Sequence, residues 1–353
     1  MLGVAVVAAA FAWVTARPVP PAEGEQRTRR TIPASSPSAS AVGGSASVDP
    51  SASATPSPSP QPTVSPEPPP GPSTVAAAGD IACAPEHEFF NEGKGNNEWC
   101  RAADTRAVIR ALDPDVVLPL GDTQYDSGRL REYYSSYDLS WGTLLRRTRP
   151  AIGNHEYYAS SNARGYFSYF GARAGERGKG WYAYELGEWR IIALNSNCQL
   201  LPCVKGSEQY AWLRAELAAN PSSCTLAYFH HPRFSSGPHG DDPSVTPLWQ
   251  LLYRAGTEVI LVGHDHIYER FAPLTPLGEL DGDHGIRQFI VGTGGAQLYP
   301  IAEVRANSRA RNTESFGVLE LRLRQSSYRW RFVPTDDGGF RDRGSARCHD
   351  APA

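Results

Sequence analysis

The 353-residue chain lacks several features that define common classes of protein. It contains no CxxC pair, which excludes the usual spacing of structural zinc sites. It contains only three lysines and no dense basic stripe, and its formal net charge is -3. This balance argues against a protein that coats nucleic acid, so we expect no nucleic-acid partner. The apolar run at residues 1–16 is shorter than the ~20 residues that a membrane-spanning helix needs.

Residues 1–17 are predicted to be a signal peptide or a membrane anchor. The run is apolar, like the core of a secretory signal, but no Lys or Arg precedes it, and the first positive residue is Arg17. Export is the favoured interpretation, and it places the protein outside the cell or at the cell surface. The sequence leaves open whether the segment is cleaved or kept.

Residues 18–73 are predicted to be a Pro/Ser-rich disordered linker. Residues 33–73 carry little apolar bulk, so burial could not offset the entropy lost on ordering them. Frequent prolines favour an extended chain, which would suit a tether to a membrane or a cell wall. A single catalytic domain is predicted over residues 74–345.

Six cysteines are present, and an even number in an exported chain favours disulfides. Two of the predicted pairs close short loops, and the third joins the two cysteines that are left. The pairs are Cys83–Cys100, Cys198–Cys203 and Cys224–Cys348. This is one of several connectivities that six cysteines allow. Buried free thiols are the alternative.

Hydrophobic patterning predicts strands that alternate with helices and are followed by a strand-rich last third. Strands are predicted over 74–80, 115–122, 148–154, 224–231 and 258–266, a hairpin over 182–196, and helices over 101–112, 129–146, 207–220 and 244–256. Ser207 is a plausible N-cap for the third of these helices. The pattern indicates an α/β core flanked by an added sheet.

Metal-competent side chains fall at or just past the ends of these strands. They are Asp80, Asp122, Asn154, His230, His264 and His266. In open α/β sheets, ligands bind at the carboxyl ends of the strands. We therefore expect these side chains to meet at one edge of the fold.

Together with Tyr125, these six residues offer oxygen and imidazole donors and no thiolate. Such a mixture suits iron, zinc or manganese. Seven ligands are too many for one tetrahedral zinc, and they fit two metals that share a bridging carboxylate. A two-metal site can clamp a phosphate and supply a nucleophile from water near neutral pH.

Five short blocks occur in a recognisable order. They are GDIA (79–82), GDTQY (121–125), GNHE (153–156), AYFH (227–230) and GHDH (263–266). The set resembles the signature blocks of calcineurin-like metallophosphoesterases over about residues 74–340. It looks most like the purple acid phosphatase branch, because Ala82 stands where most of the superfamily has a His and Tyr125 stands where that branch has a Tyr. The resemblance implies a four-layer α/β/β/α sandwich.

The resemblance also implies a role for each ligand. Asp80, Asp122, Tyr125 and His266 would hold the first metal, which is ferric iron in purple members. Asp122 would bridge to the second metal, Zn, Mn or Fe(II), which Asn154, His230 and His264 would complete. The implied reaction is hydrolysis of phosphomonoesters by direct attack of a metal-bound hydroxide, with small-molecule phosphate esters as substrates.

Two further histidines are candidates for catalysis. His155, within GNHE, would face the substrate and stabilise the phosphoryl oxygens or protonate the leaving group. His239 lies nine residues after His230 and is the second candidate acid. Glu156, His231 and Asp265 are predicted to orient the ligands.

Alternative functions stay open at this point. A phosphodiesterase could use the same scaffold, with a fuller pocket against one phosphate oxygen. A surface binding module with a dead metal site belongs to another class, but it would predict a missing ligand, and none is missing. A structural stalk protein would not need seven ligands. The sequence gives no indication of the oligomeric state.

Overall fold

The computed structural model of the protein describes residues 71–222 and 224–351. The predicted signal or anchor at 1–17, and the predicted linker except for its last three residues, lie outside the described residues. The first strand begins at Ser73. Within the described ranges, no helix is long and apolar enough to cross a membrane.

The described residues fold into twelve strands and six α-helices, joined by loops and short 3-10 turns. The strands are β1 (Ser73–Ala78), β2 (Val116–Pro119), β3 (Tyr182–Leu186), β4 (Trp189–Ala193), β5 (Thr225–Tyr228), β6 (Val259–Val262), β7 (Tyr268–Leu274), β8 (Ile286–Val291), β9 (Ser308–Asn312), β10 (Gly317–Arg324), β11 (Ser327–Pro334) and β12 (Arg343–Arg347). The helices are α1 (Ala102–Leu112), α2 (Leu130–Ser135), α3 (His155–Tyr158), α4 (Arg164–Phe170), α5 (Glu208–Ala219) and α6 (Thr246–Arg254).

Two sheets form the centre of the fold. The first has five strands in the order β12-β11-β10-β1-β2, and the second has seven in the order β3-β4-β5-β6-β8-β7-β9. Within the second sheet, β4, β5, β6 and β8 run parallel. Parallel strands place their carboxyl ends at one edge, which is the edge that the sequence predicted for the site.

Alternation along the strands explains the layers. On β5, Leu226 and Tyr228 join the core between the sheets, whereas Ala227 joins the core that includes Leu213 of α5 and Trp249 of α6. On the other side of the molecule, α1 contacts β10 and β11. The predicted four-layer α/β/β/α sandwich is therefore confirmed.

Two predicted elements take a different form. The run 148–154 makes only isolated bridges, from Thr148 to Val117 and from Ala151 to Leu120. Pro150 lies between them, and a proline has no N–H to donate to a ladder. The helix predicted over 129–146 breaks after Ser135 into α2 and two 3-10 turns, Tyr137–Leu139 and Trp141–Arg147.

All three predicted disulfides are confirmed. The pairs are Cys83–Cys100, Cys198–Cys203 and Cys224–Cys348. The last pair joins residues 124 positions apart and ties the C-terminal segment to the start of β5. A cross-link across so long a loop constrains the unfolded chain strongly.

The N-terminus of α5 forms as predicted. Ser207 has an extended backbone, and its hydroxyl accepts a hydrogen bond from the N–H of Tyr210. The two short helices α3 and α4 have no counterpart in the sequence prediction. Glu156 of α3 accepts the N–H of Asp122, which follows β2, and α3 also carries His155.

Candidate metal centre

The predicted ligands lie just beyond the strands that deliver them. Asp80 comes two residues after β1, Asp122 three residues after β2, and His230 two residues after β5. His264 and His266 follow β6, and Asn154 immediately precedes α3. The structure brings all seven predicted ligands to one edge.

The backbone turns sharply where three of these residues stand. Asp80, Asp122 and His264 have positive φ angles of 61°, 44° and 71°. Such conformations cost energy for non-glycine residues and collect at functional sites. Glycines beside them permit close approach, because a Cβ on Gly153 would clash with the Asp122 carboxylate.

One group of donors surrounds the hydroxyl of Tyr125. This oxygen lies 3.0 Å from Oδ1 of Asp80 and 2.9 Å from Nε2 of His266. It also lies 3.3 Å from Oδ2 of Asp122. The four side chains are those that the family resemblance implied for the first metal.

A second group surrounds Nε2 of His230. This atom lies 3.2 Å from Oδ2 of Asp122, 3.1 Å from Oδ1 of Asn154 and 3.2 Å from Nδ1 of His264. Oδ2 of Asp122 therefore touches both groups, which is the position that a bridging carboxylate requires.

Backbone carbonyls fix which nitrogen of each imidazole faces the site. Nδ1 of His230 lies 2.9 Å from the carbonyl oxygen of Leu120, and Nδ1 of His266 lies 2.7 Å from that of Gln297. An imidazole nitrogen that faces a carbonyl must carry a proton, so Nε2 is directed at the cluster. The Nδ2 amide of Asn154 donates to the hydroxyl of Tyr158 at 2.8 Å, which turns its Oδ1 inward.

Charges in the cluster shift the pKa values of its members. Burial opposes ionisation of both Asp122 and His230, but their mutual attraction wins. The pKa of Asp122 falls below its ordinary value, and that of His230 rises to about 9. Burial lowers the pKa of His264, and the nearby His230 adds to this effect. Burial and the Asp80 carboxylate raise the pKa of Tyr125.

The donor set fits a pair of cations. Nε2 of His230 can carry one proton, yet three acceptor atoms lie within 3.2 Å of it. A single N–H cannot satisfy three acceptors, whereas a metal ion can bind all of them with the imidazole. Carboxylate, phenol, amide and imidazole donors suit iron, zinc or manganese.

His155 and Glu156 follow Asn154 and contact the same strand ends. The N–H of His155 donates to Oδ1 of Asp122 at 2.9 Å, and its Nε2 lies 3.8 Å from Oδ2 of that residue. Glu156 is buried and accepts N–H bonds from Gly153 and Thr123 at 2.7 and 2.8 Å. It therefore joins the loops that deliver Asp122 and Asn154.

His239 lies beside the second group of donors. Its ring centroid is 4.4 Å from that of His264. Oδ1 of Asp265 accepts the N–H of His239 at 3.0 Å, and its Oδ2 accepts the hydroxyl of Ser235. Asp265 thus holds the loop that carries His239.

His231 was expected to point away from His230 if the strand continued, but β5 ends at Tyr228, and the His231 ring lies beside the second group of donors. Its ring centroid is 4.9 Å from that of His230 and 4.4 Å from that of His264. Its Nδ1 lies 2.8 Å from the hydroxyl of Ser196. That hydroxyl accepts the N–H groups of His230 and His231, so its own proton is left for Nδ1. Burial lowers the pKa of His231 to about 3, and the ring is neutral with Nε2–H free to donate.

Several residues of the site were missed in the sequence. Ser196 follows β4, and Gln297 and Tyr299 follow β8. The ring of Tyr299 stacks on His266 with centroids 4.0 Å apart. Both strands run parallel to β5 and β6, so the apolar run RQFIVGTGG was a signal for another strand end at this edge.

A cavity of about 580 Å³ opens beside the second group of ligands. Asn154, His231, His239 and His264 line its base. Tyr158 and Leu200 stand at its rim, 62% and 52% exposed, and the latter lies in the loop that the Cys198–Cys203 disulfide closes. The cavity has room for the organic part of a small ester.

Fold and site define a class of protein. The family described as calcineurin-like phosphoesterase matches residues 73–268, more than half of the chain. The chain belongs to this family.

Within the family, several of the relatives that the chain resembles are named purple acid phosphatases. Purple acid phosphatase 21 of Arabidopsis thaliana is 27% identical over 292 residues, which cover 72% of this chain and 63% of that protein. Acid phosphatase type 7 of Danio rerio is 28% identical over 45% of this chain and 42% of its own length. The chain thus matches roughly half of the length of its curated relatives.

A solved structure shares the fold. The purple acid phosphatase PPD1 from yellow lupin (Lupinus luteus) seeds superposes with a TM-score of 0.61 at 22% identity. The match covers 79% of this chain and 54% of the lupin chain.

Proposed function

We propose that this chain is a dinuclear-metal phosphatase that hydrolyses phosphomonoesters. One observation carries the proposal. Oδ2 of Asp122 lies 3.3 Å from the Tyr125 hydroxyl and 3.2 Å from Nε2 of His230, so one carboxylate oxygen belongs to both groups of donors. The relatives named as acid phosphatases support the same activity.

Asp80, Tyr125 and His266 would hold one metal, Asn154, His230 and His264 the other, and Asp122 would bridge them. A bound pair would neutralise phosphate charge and make water ionisable near neutral pH. Ferric iron is proposed for the first position because a phenol is among its ligands, and Zn, Mn or Fe(II) for the second.

The chain's own residues position and protonate the ester. Nδ1 of His155 lies 2.6 Å from the carbonyl oxygen of Asp126, so its Nε2 is directed toward the centre, where it can bind a phosphoryl oxygen. His239 and His231 face the cavity that would hold the leaving group. A protonated His239 there can give its proton to the departing alkoxide, which is otherwise a poor leaving group.

A comparison of two substrates tests the proposal. The purified protein, with its metals counted by mass spectrometry, is assayed on a chromogenic aryl phosphate monoester and on the matching diester. We expect two metals per chain and faster turnover of the monoester. Preference for the diester would replace the proposal with a phosphodiesterase, and failure to turn over either would favour a binding module.

The colour of the protein tests the iron assignment separately. If Tyr125 binds ferric iron, a phenolate-to-iron charge-transfer band is expected in the visible spectrum, and Tyr125→Phe should abolish it. An iron-containing protein without this band would contradict the assignment of Tyr125.

We also propose that the protein is exported. Three disulfides are typical of oxidising compartments. Recovery of the mature protein outside the cytoplasm, with all six thiols blocked to alkylation unless reduced, is expected. Cytoplasmic protein with free thiols would overturn this proposal.

A further inference from the structure

An unusual concentration of arginine occurs on the outer side of the first sheet, away from the metal centre. We name this surface the arginine face. Its members are Arg322 and Arg324 on β10, Arg329 and Arg331 on β11, and Arg343 and Arg347 on β12. All six are exposed. None of the six lines the cavity at the metal centre.

Strand alternation places these side chains together. Between them in sequence, Leu321, Leu323, Tyr328, Trp330 and Phe332 face the core, so the arginines must face outward. The register sets them in rows: Arg322 pairs with Arg329, and Arg331 pairs with Arg343. Neighbouring members are therefore ~4.8 Å apart across strands and ~7 Å apart along a strand, measured on the backbone.

The positive charge of this face is poorly balanced. Glu320 bonds to Arg322 at 3.0 Å and also contacts Arg331. Across the described part of the chain, no carboxylate lies within salt-bridge distance of Arg324, Arg329, Arg343 or Arg347. The formal charge of the whole chain is -3, so this face differs in sign from the molecule that carries it.

Protection of a sheet edge does not explain the pattern. Charged residues on an edge strand discourage aggregation, and that reason could account for β12. However, β10 lies between β1 and β11 and is not an edge strand. Like charges placed directly opposite each other, as in the pair Arg322 and Arg329, destabilise a sheet. A bound anion would remove that cost.

The shape of the surface indicates what kind of anion fits. A hollow of about 570 Å³ is lined by Arg322, Arg329, Arg331 and Arg343, together with Ser345, Trp330, Gly344 and the carboxylate of Glu320, with which Arg322 and Arg331 already pair. Guanidinium groups bind phosphate oxygens through paired N–H donors. Rows of arginine across three strands offer several such contacts in line, so they suit a chain of phosphates better than one phosphate.

A membrane surface fits less well. Bilayer docking usually adds apolar side chains that enter the lipid. The large exposed hydrophobic residues of the described chain, such as Leu277 and Val304, lie outside β10, β11 and β12.

We propose that the arginine face binds linear inorganic polyphosphate, a polymer made only of repeated phosphate groups. The proposal does not depend on the catalytic activity. It predicts a binding event that is strongly weakened by salt, because several arginines would displace the counterions of the polymer together.

The probe is end-labelled linear inorganic polyphosphate, with binding to the full chain measured by fluorescence anisotropy. The test variant is Arg324→Gln with Arg329→Gln and Arg343→Gln. The matched control is Arg110→Gln with Arg214→Gln and Arg254→Gln, which removes the same charge from exposed positions elsewhere. Turnover of a small aryl monoester reports whether each variant is folded.

We expect the arginine-face variant to bind polyphosphate about tenfold or more weakly. The control should stay within about twofold of the parent, and both variants should keep the parent's monoester turnover. Equal losses in the two variants would mean that bulk charge, and not this face, is responsible. Unchanged binding in the arginine-face variant would also overturn the proposal.

Two further arms identify the occupant. Free orthophosphate at the same total phosphate concentration should fail to displace the polymer, and equal displacement would reduce the face to a single-phosphate site. Vesicles containing phosphatidylglycerol should bind weakly and without dependence on these arginines. The opposite result would be an arginine-face variant that no longer binds vesicles but still binds polyphosphate. In that case the face would bind a membrane and not the polymer.

Discussion

Two buried acidic clusters lie at opposite ends of β6, and they handle their charge in different ways. Beyond the carboxyl end, the carboxylates of Asp80 and Asp122 lie among imidazoles. Before the amino end, the carboxyl group of Glu258 is 1% exposed and lies beside the Cys224–Cys348 disulfide. Both clusters place an acid next to a histidine, because Nε2 of His349 is 3.6 Å from Oε2 of Glu258.

The difference lies in what surrounds each acid. Burial disfavours the charged form at both ends. At Asp122 the neighbouring His230 and His155 outweigh burial and lower the pKa. At Glu258 burial dominates and raises the pKa to about 9, with only the N–H of His349 opposing it as a hydrogen-bond donor. A single buried carboxyl group, such as that of Glu258, therefore keeps its proton. Several acceptor atoms that converge on one point, as they do around Asp122, indicate a site for a cation.

The largest expected effect comes from replacing the shared carboxylate. Asp122→Asn removes the negative charge that both donor groups use, so both proposed metals should bind more weakly. We expect turnover of the monoester to fall by about 10³-fold or more. Metal content per chain, measured by mass spectrometry, should fall with it.

The matched control is Glu258→Gln, which neutralises the acid at the other end of β6. It should keep its metals and its turnover. Full activity in Asp122→Asn would contradict the bridging role, and loss of metal from Glu258→Gln would break the contrast between the two clusters.

Asn154→Ala tests one group of ligands alone. It removes Oδ1 from beside Nε2 of His230 and leaves the donors around Tyr125 in place. We expect about a 10²-fold loss in kcat and loss of one of two metals, because the second position keeps fewer ligands. Wild-type activity with two metals bound would remove Asn154 from the ligand set.

The histidines at the rim should matter less than the ligands. His239→Ala should lower kcat by about 10 to 10²-fold for alkyl phosphates, which need a proton on the leaving oxygen. For an aryl phosphate with a good leaving group the loss should be smaller. His155→Ala should lower turnover of both substrates alike, because it is proposed to bind the phosphoryl group. If the loss of turnover depended on the leaving group to the same extent in both variants, the two histidines would not have these separate roles.

The smallest effect is on stability and concerns Glu258. Its carboxyl loses a proton near pH 4.5 in the unfolded chain and at about 9 in the folded protein. Below pH 4.5 the two states bind the proton equally, and above it the unfolded state is increasingly favoured, so stability falls as the pH rises toward 9. Glu258→Gln should remove this decline and stabilise the protein at pH 8, with little change at pH 4.5.

Chemical denaturation of parent and variant at the two pH values measures this difference. Cooperative unfolding with intact disulfides is required for the comparison. A variant that loses stability with pH as steeply as the parent would show that Glu258 is not the group responsible.

Local sequence predicted the strands that carry the site. Apolar runs ending in Gly-Asp or Gly-His define β1, β2 and β6 because a buried strand needs apolar residues on both faces and a sharp turn needs glycine beside it. The order of the five short blocks also identified the family, and the spacing of the cysteines led to the correct pairs.

Local sequence failed where a partner distant in the chain decides the structure. The run 148–154 has the composition of a strand, but Pro150 leaves it with isolated bridges beside β2. Ser196 and Gln297 looked ordinary because their importance comes from the imidazoles that they contact, His231 and His266, which lie 35 and 31 residues away. No periodicity records such a contact.

The sequence by itself determined which donor atoms are available and that each follows a strand, since residue type and hydrophobic pattern are local properties. The tertiary structure decided that Oδ2 of Asp122 meets two groups of donors, because parallel pairing of distant strands sets that distance. It also decided that six arginines share one face. Charges that are separated along the chain become neighbours only when strand register is fixed.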